Sequence, residues 1–149
     1  MIELPSDLEV LVTRDFEAPI ALVFEALTKP EHVCKWFPPH GEEVVECSID
    51  LRVGGEYHFV FLTSDGKEMS FRGTYVEVEP PTRTVATSAI EGRPGSQAVE
   101  TMELRETGGI TTMTIRLTFE ENAGRPTRFE GMQASFDRVE DVVRGLLKG

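Results

Sequence analysis

At 149 residues, the chain suits one compact domain, and residues 1–149 read as a single one. Its 26 acidic and 15 basic side chains give a formal charge of -11, which excludes nucleic acid and disfavours anionic membrane as partners. No apolar run approaches the roughly 18 residues that span a bilayer, Met1–Asp7 lacks the long apolar stretch of a leader, and Cys34 and Cys47 make no disulfide framework, so the chain reads as a reduced cytoplasmic protein with free thiols.

The segment from Leu8 to Phe16 alternates apolar and polar residues and predicts a strand. Pro19 then opens a helix, where its missing N–H costs nothing. Ile20, Val23, Phe24 and Leu27 recur at helical spacing and form one stripe. Thr28-Lys29-Pro30 breaks that helix, because the residue before proline avoids the helical region. A second short helix is expected over Pro30–Lys35, followed by an irregular Trp36-Phe37-Pro38-Pro39.

A strand over Val44–Ile49 leads to Gly54-Gly55, read as a backbone kink. Tyr57, Phe59 and Phe61 then alternate with His58, Val60 and Leu62. Ser64-Asp65-Gly66 signals a hairpin, and its loop length decides the register. A two-residue loop scatters the bulky side chains over both faces. A three-residue loop with Gly66 left-handed pairs Phe61 with Met69 and Phe59 with Phe71. It gathers Tyr57, Phe59, Phe61, Met69 and Phe71 on one face, and is therefore the expected register.

Glu79-Pro80-Pro81-Thr82 is a turn, and Thr84–Ile90, Gln97–Arg105 and Ile110–Glu120 are three further strands. Six or seven strands joined by short loops imply a mostly antiparallel sheet. The C-terminal segment is the clearest helix. Phe129, Met132, Phe136, Val139, Val143 and Leu146 are spaced 3, 4, 3, 4, 3, and Thr127 with Glu130 fits a capping box. A helix amphipathic on one side must lie across something apolar, and the aromatic face of the sheet is the candidate.

The order Ala18-Pro19, Val23-Phe24, Ala26-Leu27-Thr28, Pro30-Glu31-His32, Trp36-Phe37 resembles the opening of the START-like, or SRPBCC, superfamily. With Asp50-Leu51-Arg52-Val53-Gly54-Gly55, Asp65-Gly66, Gly73-Thr74-Tyr75-Val76-Glu77-Val78, Pro80-Pro81-Thr82-Arg83 and Gly131, the chain is similar to the family named after the activator of the heat-shock-protein-90 ATPase. Each motif is weak alone; their order and spacing carry the resemblance. It departs at Met132, where the family often has tryptophan. The resemblance implies an α+β helix-grip fold, START-like or Bet v 1-like. In it a curved antiparallel sheet wraps around a long C-terminal helix, two short helices follow the first strand, and an apolar cavity often lies between.

No catalytic constellation assembles from the residues. His32 and Cys34 form a His-x-Cys pair with no second pair at zinc spacing, so no metal is expected. No phosphate loop, nucleophile elbow or dinucleotide fingerprint appears, so no cofactor is expected. Asp50 with Arg52 reads as a loop-anchoring pair, and Glu42-Glu43 and Glu120-Glu121 as solvated doublets. Trp36 lies where, by resemblance, the chain crosses the cavity mouth, and it reads either as a lid or as core. Trp36, Phe59, Phe61, Phe71, Met113, Met132 and Phe136 are expected to converge on one cavity holding a hydrophobic or aromatic small molecule. A cyclase- or aromatase-like enzyme using His58, Arg72, Tyr57 or Tyr75 is the first alternative, although His58 and Arg72 have the outward parity. A co-chaperone, as the family name suggests, is the second, but no length remains for a separate chaperone-binding domain, and a chaperone partner is not expected. A symmetric dimer is the base-rate expectation for assembly.

Overall fold

The computed structural model describes residues 2–38, 42–121 and 125–148, with the side chains of 125–131 and 133 outside the description. Pairing the strands in sequence gives β1 (Ile2–Glu3), β2 (Glu9–Phe16), β3 (Val44–Ile49), β4 (Glu56–Leu62), β5 (Glu68–Glu79), β6 (Arg83–Ile90), β7 (Ala98–Thr107) and β8 (Ile110–Phe119). Two helices, α1 (Ile20–Thr28) and α2 (Pro30–Trp36), follow β2, and α3 (Arg125–Lys148) closes the chain. The sheet order is β1-β2-β8-β7-β6-β5-β4-β3, antiparallel throughout. This curved, unclosed sheet gripping a C-terminal helix is the helix-grip fold.

The sheet has one strand more than expected. The extra one, β1, is two residues long, pairing Ile2 with Val12 and Glu3 with Leu11, too short for alternation to reveal. The hairpin register is the expected one: Phe61 pairs with Met69 and Phe59 with Phe71, with Gly66 at φ 81°. Helix α3 begins at Arg125, so Thr127 lies inside its first turn and not at its cap. The side chains of Thr127, Phe129 and Glu130 lie outside the description, as does His40.

Gly54-Gly55 has two distinct roles. Gly54 sits at φ 84°, which strains any residue with a Cβ. Gly55 is needed for space: a Cβ there would lie 2.1 Å from the Asp50 carbonyl oxygen. The turn is stitched to β5, with Gly54 N–H donating to Tyr75 O and Tyr75 N–H to Gly55 O, both at 2.9 Å. It therefore sets the position of Tyr75. Gly55→Ala forces backbone atoms apart and is expected to cost roughly 1–3 kcal/mol. A fall in Tm of about 5 °C checks this; an unchanged Tm would show that the turn relaxes freely.

The concave face carries the core, including Val10, Val12, Met102, Ile115 and Leu117 from the strands and Phe136, Val139 and Val143 from α3. Helix α3 is tied to α2 at its middle. Ser135 Oγ donates to Phe37 O at 2.9 Å, and Arg138 donates to Lys35 O through Nε at 3.1 Å and Nη2 at 2.8 Å. Arg14 of β2 meets Asp137 at 2.9 Å on the same helix. Among the described residues, no helix is long and apolar enough to cross a membrane.

Candidate functional site

Helix α3 packs against α1, α2 and β2, and a space is left beside it that residues of β4, β5 and β6 line. Aromatic side chains from β4 and β5 meet α2 there. Phe37, just after α2, is the hub: its ring lies 4.8 Å from Phe59, 4.9 Å from Phe71 and 6.2 Å from Phe61. Tyr57 continues the cluster, 5.0 Å from Phe59 and 5.9 Å from Tyr75. Between this aromatic wall, the β6–β8 floor and α3 lies a cavity of about 410 Å³, within the usual size of a ligand pocket.

Six of the seven residues singled out from the sequence line it: Trp36, Phe59, Phe61, Phe71, Met132 and Phe136. Met113 is not among the lining residues. Its parity is inward, but it pairs with Leu104 and Arg14, towards the end of the sheet that α1 covers, and is fully buried there. Trp36 is the last residue of α2 and not part of an irregular crossing segment. Its indole N–H donates to Ala26 O at 2.8 Å, and its ring stacks on Phe136 at 6.1 Å and 25°. Those bonds make it a fixed wall.

Sequence reasoning pointed to the Trp36-Phe37 pair but placed only Trp36 among the cavity residues. It also passed over Thr84 and Ser88 of β6 and Glu100 of β7, which line the interior together with Tyr75 of β5, one of the side chains named for the cyclase-like alternative. Alternation carried the signal for Glu100, since Ala98, Met102 and Leu104 share its parity and are buried. Burial holds the Tyr75 phenol well above its ordinary pKa, with the charge of Glu100 and then Tyr57 adding to the rise. Tyr57 Oη donates to Thr87 O at 3.2 Å. Glu42, read as solvated, lines the cavity together with Arg93.

His58 and Arg72 lie on the opposite face, as their parity requires. His58 Nδ1 is 2.6 Å from Glu46, its Nε2 is 2.8 Å from Ser70 Oγ, and Arg72 Nε is 2.8 Å from Glu91. Asp50 and Arg52 form an exposed pair at 2.8 Å in the turn before β4. His32 is buried, and its Nδ1 finds no hydrogen-bond partner. Among the described residues, no three His, Cys, Asp or Glu side chains are grouped to hold a metal ion.

Both cysteines are free. Cys34 Sγ donates to Glu31 O at 3.5 Å and Cys47 Sγ to Pro30 O at 3.4 Å, which brings α2 and β3 together. Burial, reinforced by the neighbouring Cys34 thiol, pushes the Cys47 thiol from 9.0 up to about 12. The thiolate is the nucleophile, so a raised pKa slows alkylation. Mass spectrometry after brief iodoacetamide treatment at pH 7.5 should find Cys47 unmodified until the protein is unfolded. Rapid labelling in the folded state would contradict this environment.

The sequence model of activator of Hsp90 ATPase homolog 1-like proteins matches residues 17–144. No curated protein matches the chain. Solved structures do. A crystal structure of a Chromobacterium violaceum protein is 27% identical, with 93% of this chain and 98% of that one covered and a TM-score of 0.81. A Nitrosomonas europaea protein is 24% identical over 98% and 100% of the two chains, TM-score 0.84. A Rhodobacter sphaeroides protein is 19% identical over 98% of each, TM-score 0.86. The last two support the fold alone. With the family model spanning most of its length, the chain belongs to the activator of Hsp90 ATPase homolog 1-like family.

Proposed function

We propose that this protein binds an apolar or aromatic small molecule in the cavity between its sheet and α3. The observation that carries the reading is the cavity of about 410 Å³, walled by Trp36, Phe37, Phe59, Phe61, Phe71 and Phe136. A folded core normally fills such a space, because an unfilled one forfeits both dispersion and transfer energy. A mostly apolar concavity with a few polar groups is the form ligand sites take. Of the four side chains named for the cyclase-like alternative, His58 and Arg72 sit on the outer face and only Tyr57 and Tyr75 line the cavity, which leaves that alternative without its imidazole and its cation.

Trp36 is the only tryptophan and lines the cavity, so its emission is a direct reporter. Titration with non-fluorescent flat apolar compounds should shift that emission saturably. Native mass spectrometry before and after organic extraction should show a matching loss of bound mass in protein as purified. No response of Trp36 to any compound, together with an unchanged native mass, would leave the cavity as a loosely packed core and sink the proposal.

A further inference from the structure

The outer face of the sheet, opposite the cavity, carries a polar chain drawn from three strands. Glu46 of β3 pairs with Val60 of β4, and Val60 with Ser70 of β5, while His58 stands in the next outward row, between Ser48 and Arg72. The His58 ring reaches across: its Nδ1 is 2.6 Å from a Glu46 carboxylate oxygen and its Nε2 is 2.8 Å from Ser70 Oγ. An ionised carboxylate only accepts, so Nδ1 carries the proton, and in the neutral ring Nε2 is left as acceptor for the Ser70 O–H. A hydroxyl, an imidazole able to take its proton and a carboxylate that orients the ring are the parts of an activated nucleophile, at the distances such a site requires. Two more charges complete the surroundings. Arg72 Nη2 is 3.5 Å from both ring nitrogens, so the guanidinium lies against the ring. Its Nε is held at 2.8 Å by Glu91, whose carboxylate is a second, longer neighbour of His58 Nε2 at 3.4 Å. Val60 has the same outward parity and is only 5% exposed, so the cluster does not stand free in water.

We propose that Ser70 is a nucleophile that accepts the acyl group of a small uncharged ester or thioester, with His58 as its general base and Glu46 as the residue that positions the ring. Ser70 Oγ attacks the carbonyl carbon as its proton passes to His58 Nε2. The bond from that carbon to the alkoxide or thiolate then breaks, and the leaving group takes the proton from Nε2. Ser70 is left as an ester, which water can cleave in a second step. Strand β5 is paired along both edges, so its N–H groups serve the ladder, and Arg72 is the cation placed for the charge that develops on the carbonyl oxygen. The donor is small because Ser70 is only partly exposed. It is uncharged because Glu46 and Glu91 outnumber Arg72 on a chain of formal charge -11, which repels anions. The site shares no residue with the cavity, so it stands or falls separately from the binding reading.

The test is incubation of the full chain with p-nitrophenyl acetate at pH 7.5, followed by peptide mapping of the acetylated residues by mass spectrometry. Ser70 should carry an acetyl group. Ser48 is the internal comparison: it lies on the same face and is more exposed, but donates to the His58 backbone oxygen at 3.5 Å and not to the ring. It should stay unmodified. His58→Gln should slow acetylation of Ser70 by roughly 100-fold, the usual contribution of a positioned base. Glu46→Gln, which keeps the shape and removes the charge, should slow it about tenfold. Glu46→Asp should recover part of that loss, a recovery that follows the charge and not the shape. Acetyl groups on amines or thiols with Ser70 bare overturn the proposal, as does a Ser70 labelled no faster than Ser48. A rate at Ser70 that His58→Gln leaves unchanged overturns it too. The comparison of Ser70 with Ser48 is made on the unaltered chain, so it decides the matter even if a variant proves unstable.

Discussion

Truncation before Phe129 is expected to abolish cooperative unfolding. The deletion removes Phe136, Val139 and Val143, which are 6%, 0% and 3% exposed, along with the half-buried Met132 and Leu146. Each fully buried side chain contributes roughly 1.5–3 kcal/mol. Losing three such residues costs about as much as a small domain's whole margin of roughly 5–15 kcal/mol. The loss doubles on the other side of the interface, because Val10, Val12, Ile115 and Leu117 on the concave face would meet water. The ties from Ser135 to Phe37 and from Arg138 to Lys35 go as well, releasing α2. Far-UV circular dichroism on heating should show a shallow, featureless slope for the truncated chain. A sharp transition would mean that α3 is an accessory and that the sheet has its own core.

The fold was legible because its two main signals are periodic. The stripe from Phe129 to Leu146 could only be a helix with one covered face. The hairpin register followed from asking which loop length puts Tyr57, Phe59, Phe61, Met69 and Phe71 together, and the observed pairs answer in the same way. Periodicity gives the side of a strand but not the position along it, and Met113 marks that limit. Met113 is fully buried but is not among the cavity's lining residues, and its place along the strand relative to the cavity depends on how far each helix extends over the sheet. Phe37 marks a second limit. Its role at the centre of the ring cluster comes from α2 ending one residue earlier, a boundary that sequence patterns place only loosely. Glu100 was legible in principle. An acidic residue on the apolar parity of a strand conflicts with the pattern around it, but the conflict shows only once the strand's inner face is known.

Trp36→Ala should lower stability sharply, whereas Trp36→Phe should lower it only slightly, and the contrast separates a wall from a lid. As a wall, the indole is 9% exposed, stacks on Phe136 and donates its N–H to Ala26 O. Replacing it with alanine removes a large buried side chain, at roughly 3–5 kcal/mol, and strips the Ala26 carbonyl of a partner. For a chain this long, that corresponds to a fall in Tm of about 10 °C. Phenylalanine keeps an aromatic face against Phe136 and loses mainly one hydrogen bond, about 1 kcal/mol. A lid would behave otherwise. It would leave the Tm of Trp36→Ala near that of the parent and instead speed ligand exchange, because an element that opens has little binding energy to the closed body. Paired thermal melts of the two variants, with ligand release timed by stopped flow, read both quantities. If Trp36→Ala melts with the parent and releases ligand faster, the bond to Ala26 and the stack on Phe136 are incidental and α2 gates the cavity. The two ties from α3 to the end of α2, at Phe37 and Lys35, argue for the wall: with the indole bonded to Ala26 O of α1 and the flanking residues bonded to α3, it cannot swing without breaking bonds to two helices.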